Sequence, residues 1–187
     1  MATVNDVGVG LSGQTGTGSF AGSVSPSFTT PSLGVATATS VNFGGSALNA
    51  YVGFTAWTPV FTFATPGDLS VAYGTRVAWY SRIGNIVTAN FNLTCTPTFT
   101  TATGNALITG LPFANNSSSG NVVGSSLIAT TDTWPSSSTH SNLYLAASTS
   151  NLQLYGTHSG GTGGFFTASE FASTVSIIIY ASITYSV

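Results

Sequence analysis

The sequence predicts an all-β protein: an antiparallel β-sandwich of jelly-roll-like form, preceded by an extended, low-complexity N-terminal arm. Three observations carry this reading. Residues 87–95 alternate strictly, with Val87, Ala89, Phe91, Leu93 and Cys95 on one side and Thr88, Asn90, Asn92 and Thr94 on the other, the mark of a half-buried strand. Residues 175–187 alternate as regularly. Between such runs lie clusters of Gly, Pro, Asn and Ser that suit tight turns, and helical signal is confined to residues 167–173.

Taken in order, residues 1–52 form the arm. They are rich in Gly, Ser, Thr and Ala, and Pro26 and Pro31 interrupt them. Phe20, Val24, Phe28 and Leu33 are isolated apolar anchors, too sparse for a lone chain to offset its ordering entropy. Order there is expected from pairing with further copies or with a platform. Residues 53–187 form the sandwich, with strands expected over 58–63, 69–73, 77–83, 87–95, 106–109, 122–129, 143–147, 152–155 and 175–187. The turns between them include Pro66-Gly67-Asp68 and Gly84-Asn85, the latter a two-residue hairpin turn in which both residues tolerate positive φ. Pro112 ends a strand because it has no N–H for the ladder.

The chain of 187 residues carries only six charged side chains, Arg76, Arg82, Asp6, Asp68, Asp132 and Glu170, a 3% share where roughly 25% is usual. It has no lysine, while 27 Ser, 30 Thr and 22 Gly supply the small polar surface. Two arginines cannot displace counterions along a phosphate backbone, which argues against nucleic acid as a partner. A P-loop is excluded for want of its lysine. Gly8-Val-Gly-Leu-Ser-Gly13 matches a dinucleotide fingerprint in letters only, because no strand and helix flank it and no acidic residue follows at the required distance. The single Cys95 permits no intrachain disulfide and no cysteine-based metal site. Neither a signal peptide nor a membrane-spanning apolar run is expected, so neither is membrane insertion. A near-neutral surface suits a protein held in a larger assembly or working outside a cell.

Catalytic groups are scarce. Asp132 and Glu170 would serve a glycosidase only if their loops converged, and His140 and His158 lack the spacing of metal ligands. The expectation is a protein that is not an enzyme and uses no cofactor.

The segment from Trp57 to Phe113 carries a resemblance. Trp57-Thr-Pro59, Tyr73, Trp79-Tyr-Ser-Arg-Ile-Gly-Asn85, the alternating strand and Gly104-Asn-Ala-Leu-Ile-Thr-Gly-Leu-Pro-Phe113 follow in an order that resembles a module of bacteriophage tail fibres, tail spikes and related virion proteins. Residues 16–31 are similar to the low-complexity leaders of such fibres. The resemblance covers residues 13–113. It implies a homotrimer on the virion exterior, joined to other tail or baseplate proteins through residues 1–50, with its C-terminal part facing the host.

The residues themselves suggest where a host would be met. The loop 131–140 sets Asp132, Trp134 and His140 among small hydroxyls, and Tyr155, His158, Phe165 and Phe166 form a second aromatic group between glycines. Aromatic faces beside hydroxyl and carboxylate groups suit a cell-surface glycan, though a host protein fits the same loops. The plainer alternative is that Trp134 and Phe165 cover the core or a subunit interface. A homotrimer is also expected from residues 175–187, where Ile178 and Tyr180 make the second face of the strand apolar beside Ile177 and Ile179. The competing functional readings are a purely structural virion protein, such as a head-decoration fibre or tail connector, and a glycan-depolymerising spike.

Overall fold

The alternating runs form strands in the computed structural model, which describes residues 41–43, 46–48, 50–130, 141–157 and 161–187. In chain order these are β1 (Val41–Phe43), β2 (Ser46–Leu48), β3 (Tyr51–Ala56), β4 (Val60–Thr65), β5 (Ser70–Ile83), β6 (Ile86–Thr98), β7 (Thr103–Thr109), β8 (Val122–Thr130), β9 (Ser141–Leu145), β10 (Leu152–Thr157), β11 (Gly163–Phe165) and β12 (Ile177–Ser186). β1 and β2 pair with each other; the others form one antiparallel sheet in the order β3-β5-β6-β12-β8-β9-β10-β7-β4, with β11 added on β10.

That order dictates the shape. β3 and β4 stand at opposite ends of a nine-strand path, yet only Trp57, Thr58 and Pro59 join them. Laid flat, such a path would be about 38 Å wide at ~4.8 Å per strand. The link reaches about 14 Å, so the sheet must curl until its ends meet. The all-β antiparallel class is as expected, and its two layers are halves of one curled sheet. Side chains and loop backbone close the seam where no ladder runs. Trp57 N–H donates to Ala78 O at 3.2 Å, Phe61 N–H to the Tyr73 hydroxyl at 3.2 Å, and Arg76 Nε to Pro59 O at 2.7 Å.

Register assigns the faces. Ala78, Phe91 and Ala181 are cross-strand neighbours, as are Arg76, Leu93 and Ile179, and Tyr73, Cys95 and Ile177. Apart from Arg76, which turns to the seam, these ranks point inward and meet Phe61, Phe63, Ile108, Leu143, Leu145, Leu152, Leu154 and Phe166 in one core. Burying each large apolar side chain contributes about 1.5–3 kcal/mol. Phe63 meets Phe61, Phe99 and Phe171 with ring centroids 4.9–5.8 Å apart.

Several details differ from the expectation. The separate strands expected over 69–73 and 77–83 are one strand, β5, which keeps pairing with β6 through a register shift between Tyr73 and Arg76. Gly74 and Thr75 occupy the bulge, which absorbs the break in alternation. β1, β2, β3 and β11 were not expected; β11 is short and glycine-rich, so it leaves no period-2 signal. The stretch 167–173 contains a single 3-10 turn, Ala168–Glu170, closed by a capping box between Thr167 and Glu170.

Both cations are used within the fold. Arg82 Nε donates to Gly84 O at 2.7 Å, and its guanidinium lies 4.9 Å from the centre of the Phe113 ring. Arg76 lies 4.2 Å over Tyr73. Gly84 takes φ 57° at the first position of its hairpin turn, where a II′ turn calls for glycine.

Gly110 has φ +95°, and a Cβ there would stand 2.5 Å from the Thr58 carbonyl oxygen in the link. Gly110→Ala should therefore lose about 1–3 kcal/mol from the positive φ and more from the backbone clash. Urea unfolding that returns the wild-type midpoint would refute this account of the link. Asp68 accepts hydrogen bonds from the backbone N–H groups of Thr100 and Thr101 at 2.8–3.1 Å, and from both hydroxyls at 2.5 and 2.9 Å. The Thr100 hydroxyl first, then the backbone donors, hold its carboxyl well below the usual carboxylate range. A depressed folded pKa stabilises above the unfolded value of about 3.9 and loses that contribution as pH falls toward the folded one. The thermal midpoint of Asp68→Asn should thus lie below wild type at neutral pH and converge on it in acid; a constant gap across that range would count against this role.

Candidate functional site

The strand directions give the sheet two unlike ends. At one, the Gly84-Asn85 hairpin turns β5 into β6, and the chain enters the sheet as Tyr51 pairs with Ile83. At the other, β4 turns into β5, β6 into β7 and β10 into β11, β8 ends and β9 begins, and residues 166–176 lead into β12. Tyr155 and Phe165 lie toward this second end. Asp132, Trp134, His140 and His158 lie outside the described residues.

The structure brings Tyr155 and Phe165 together and adds a third ring. Phe165 is the cross-strand partner of Tyr155 between β10 and β11, with ring centroids 5.3 Å apart at an interplanar angle of 78°. Tyr144 on β9 meets Phe165 edge-on at 5.1 Å and lies 6.5 Å from Tyr155. The three half-buried rings sit on the outer face, because Leu143, Leu145, Leu154 and Phe166 beside them in sequence point into the core. Asn142 is the cross-strand neighbour of both Tyr155 and Ser125, and Val123 that of Tyr144. Val123, Asn142, Leu143, Tyr144 and Tyr155 line a recess of about 320 Å³. Ring faces, an exposed amide and the tyrosine hydroxyls offer apolar contact and hydrogen bonding together.

Tyr144 was missed in the sequence, although its place between inward Leu143 and Leu145 marks it as an outward aromatic. Gly163 matters for a different reason: a Cβ there would run into the Tyr155 hydroxyl.

The described acidic and thiol groups are occupied structurally. Asp68 is held by Thr100 and Thr101, as above. Glu170 Oε2 accepts from Thr167 N–H at 2.8 Å and from its hydroxyl at 3.1 Å, the reciprocal bonds of the capping box. Cys95 is buried, and burial pushes its thiol up to about 12, far from a nucleophile's range. Among the described residues, no three His, Cys, Asp or Glu side chains gather as metal ligands would.

Comparison with family models, with curated proteins and with solved structures finds no match to this chain.

Gly163→Ala should displace the Tyr155 ring. The obstacle is the far end of a side chain, so the stability loss should stay near 1 kcal/mol or less. Near-ultraviolet circular dichroism should change while the far-ultraviolet spectrum does not; an unchanged aromatic spectrum would show that the ring does not depend on the glycine.

Proposed function

We propose that this chain is a trimeric structural protein of a bacteriophage virion, a tail fibre that attaches through its N-terminal residues and meets a host-surface glycan with the far end of its sheet. The observation that carries this reading is the opposition of the two ends. The chain enters at Tyr51 beside the Gly84-Asn85 hairpin, and the Tyr155–Phe165 pair lies toward the opposite end. A tether at the entry leaves that end free, and binding by surface groups on a rigid scaffold is the usual arrangement.

The outer face supports the oligomer. Val77, Asn92, Tyr180 and Leu127 form one rank across β5, β6, β12 and β8. Leu127 is 63% exposed, Val77 60% and Tyr180 49%. Phe54, also exposed, stacks on Trp79 at 4.6 Å. No charged residue projects outward from β6, β12 or the adjoining half of β5, so copies could meet there without desolvating a charge. The same face favours the second reading, a virion protein whose every contact is with other virion subunits.

Size-exclusion chromatography with light scattering should report three times 18.9 kDa, and Leu127→Asp should shift the mass toward the monomer. A wild-type chain that stays monomeric at micromolar concentration would sink the trimer. Purified protein should adsorb to host cells and block infection, with Tyr155→Ala and Phe165→Ala impaired in both. Incorporation into particles with no competition for adsorption would leave only the structural reading.

A further inference from the structure

A second recess, of about 520 Å³, opens at the end of the sheet where β6 turns into β7, within the range of roughly 300–1,000 Å³ in which small ligands are held. Its walls are the β6–β7 loop with the first two residues of β7, residues 99–104, and the segment 167–173 ahead of β12. Both walls are fixed. Asp68 clamps Thr100 and Thr101, Phe99 N–H donates to Ser173 Oγ at 3.0 Å, Thr174 N–H donates to Pro97 O at 2.7 Å, and the Thr167–Glu170 capping box holds the far side. A site held in advance loses little entropy when it is filled.

The lining chemistry narrows the ligand. Phe99, partly exposed and braced edge-on against Phe63 at 4.9 Å, joins Ala102, Ala168 and Phe171 as apolar lining. Thr100, Thr103, Ser169 and Ser173 supply hydroxyls. No Lys, Arg or His lines the recess, so nothing there would neutralise an anion. Each oxygen of the neighbouring Asp68 carboxylate already accepts at least two hydrogen bonds, which leaves it a poor metal ligand. Ser173 Oγ accepts from Phe99, leaving its own proton to donate. The Thr100 hydroxyl gives its proton to Asp68 and keeps lone pairs to accept. Such a recess matches a molecule with an apolar C–H face and hydroxyls that both donate and accept.

We propose that this recess binds one neutral sugar residue, its C–H face against Phe99 and its hydroxyls shared between the Thr100 and Ser173 walls. The proposal takes its class of ligand from the glycan reading above and adds a site separate from the Tyr155 cluster.

Saturation-transfer difference NMR on the purified full chain tests it, with glucose, galactose, mannose and N-acetylglucosamine offered in turn at millimolar concentration. At least one sugar should receive saturation. Thr103→Trp and Ser169→Trp, both at exposed rim positions, should each weaken binding about tenfold or more with the thermal midpoint unchanged, while Tyr155→Ala keeps the signal. Two variants guard against either one misfolding. No transfer to any of the four sugars overturns the proposal, as does a signal that survives both tryptophans or is lost only in Tyr155→Ala. Adsorption to cells is read separately: its failure with sugar binding intact counts against the virion reading alone, and its success without any sugar signal counts against the recess alone.

Discussion

Everything in this fold depends on one short link. Trp57, Thr58 and Pro59 connect the two strands that stand at opposite ends of the sheet, so the sheet has to curl until those ends meet. The curl turns one face into a sealed core and leaves the other wholly outside. It also brings a backbone carbonyl against Gly110, where only a residue without Cβ fits at φ +95°. The seam carries hydrogen bonds from Trp57, Phe61 and Arg76. Ladder pairing is cooperative along a strand, whereas these are single bonds, each worth about 1 kcal/mol net. The core behind the seam, centred on Phe61, Phe63 and Phe171, therefore carries most of the closure.

The scarcity of charge shapes how loops are held. In most domains, surface ion pairs and solvated lysines would occupy these positions. Here the four charged residues among those described are drawn into the scaffold: Arg76 onto a carbonyl and a Tyr ring, Arg82 onto its own turn and Phe113, Asp68 onto two consecutive threonines, Glu170 into a cap. Charge-assisted bonds of this kind are shorter and stronger than neutral ones. A few suffice to fix the loops at the end of the sheet that carries the larger recess.

Much of this was legible in the sequence, and the reasons for the remainder are physical. β6 and β12 could be read residue by residue, because each has one face in the core and period-2 alternation records that directly. The sequence grouped Tyr155, Phe165 and Phe166 between glycines; the β10–β11 pairing that sets Tyr155 beside Phe165 and turns Phe166 into the core was not readable there. β5 was read as two strands because a bulge shifts the inward parity at Gly74-Thr75, and a period-2 reading breaks there although the backbone continues. Tyr144 and the hydroxyl-lined recess were hidden for another reason. Their neighbours come from strands and loops far apart in the chain, and no local pattern encodes a rank that runs across β8, β9, β10 and β11. The single curled sheet was invisible for the same cause, since strand order is a long-range property.

One consequence joins the surface to the fold. Coulomb attraction between exposed groups is screened beyond about 8–10 Å at physiological ionic strength, and long-range steering by charge makes association depend on salt. The outer ranks of β6 and β12 hold Thr, Asn, Ser, Ile and Tyr and no ion, and both arginines are engaged within the fold. Contact made through these ranks or through the Tyr155 cluster rests on apolar area and neutral hydrogen bonds, neither of which salt screens. Such contacts form without electrostatic steering, and so more slowly, and they keep their strength when ionic strength changes. Among the described residues the same scarcity has a counterpart inside the fold: Arg76, Arg82, Asp68 and Glu170 are each committed to holding a loop, a turn or a neighbouring ring in place.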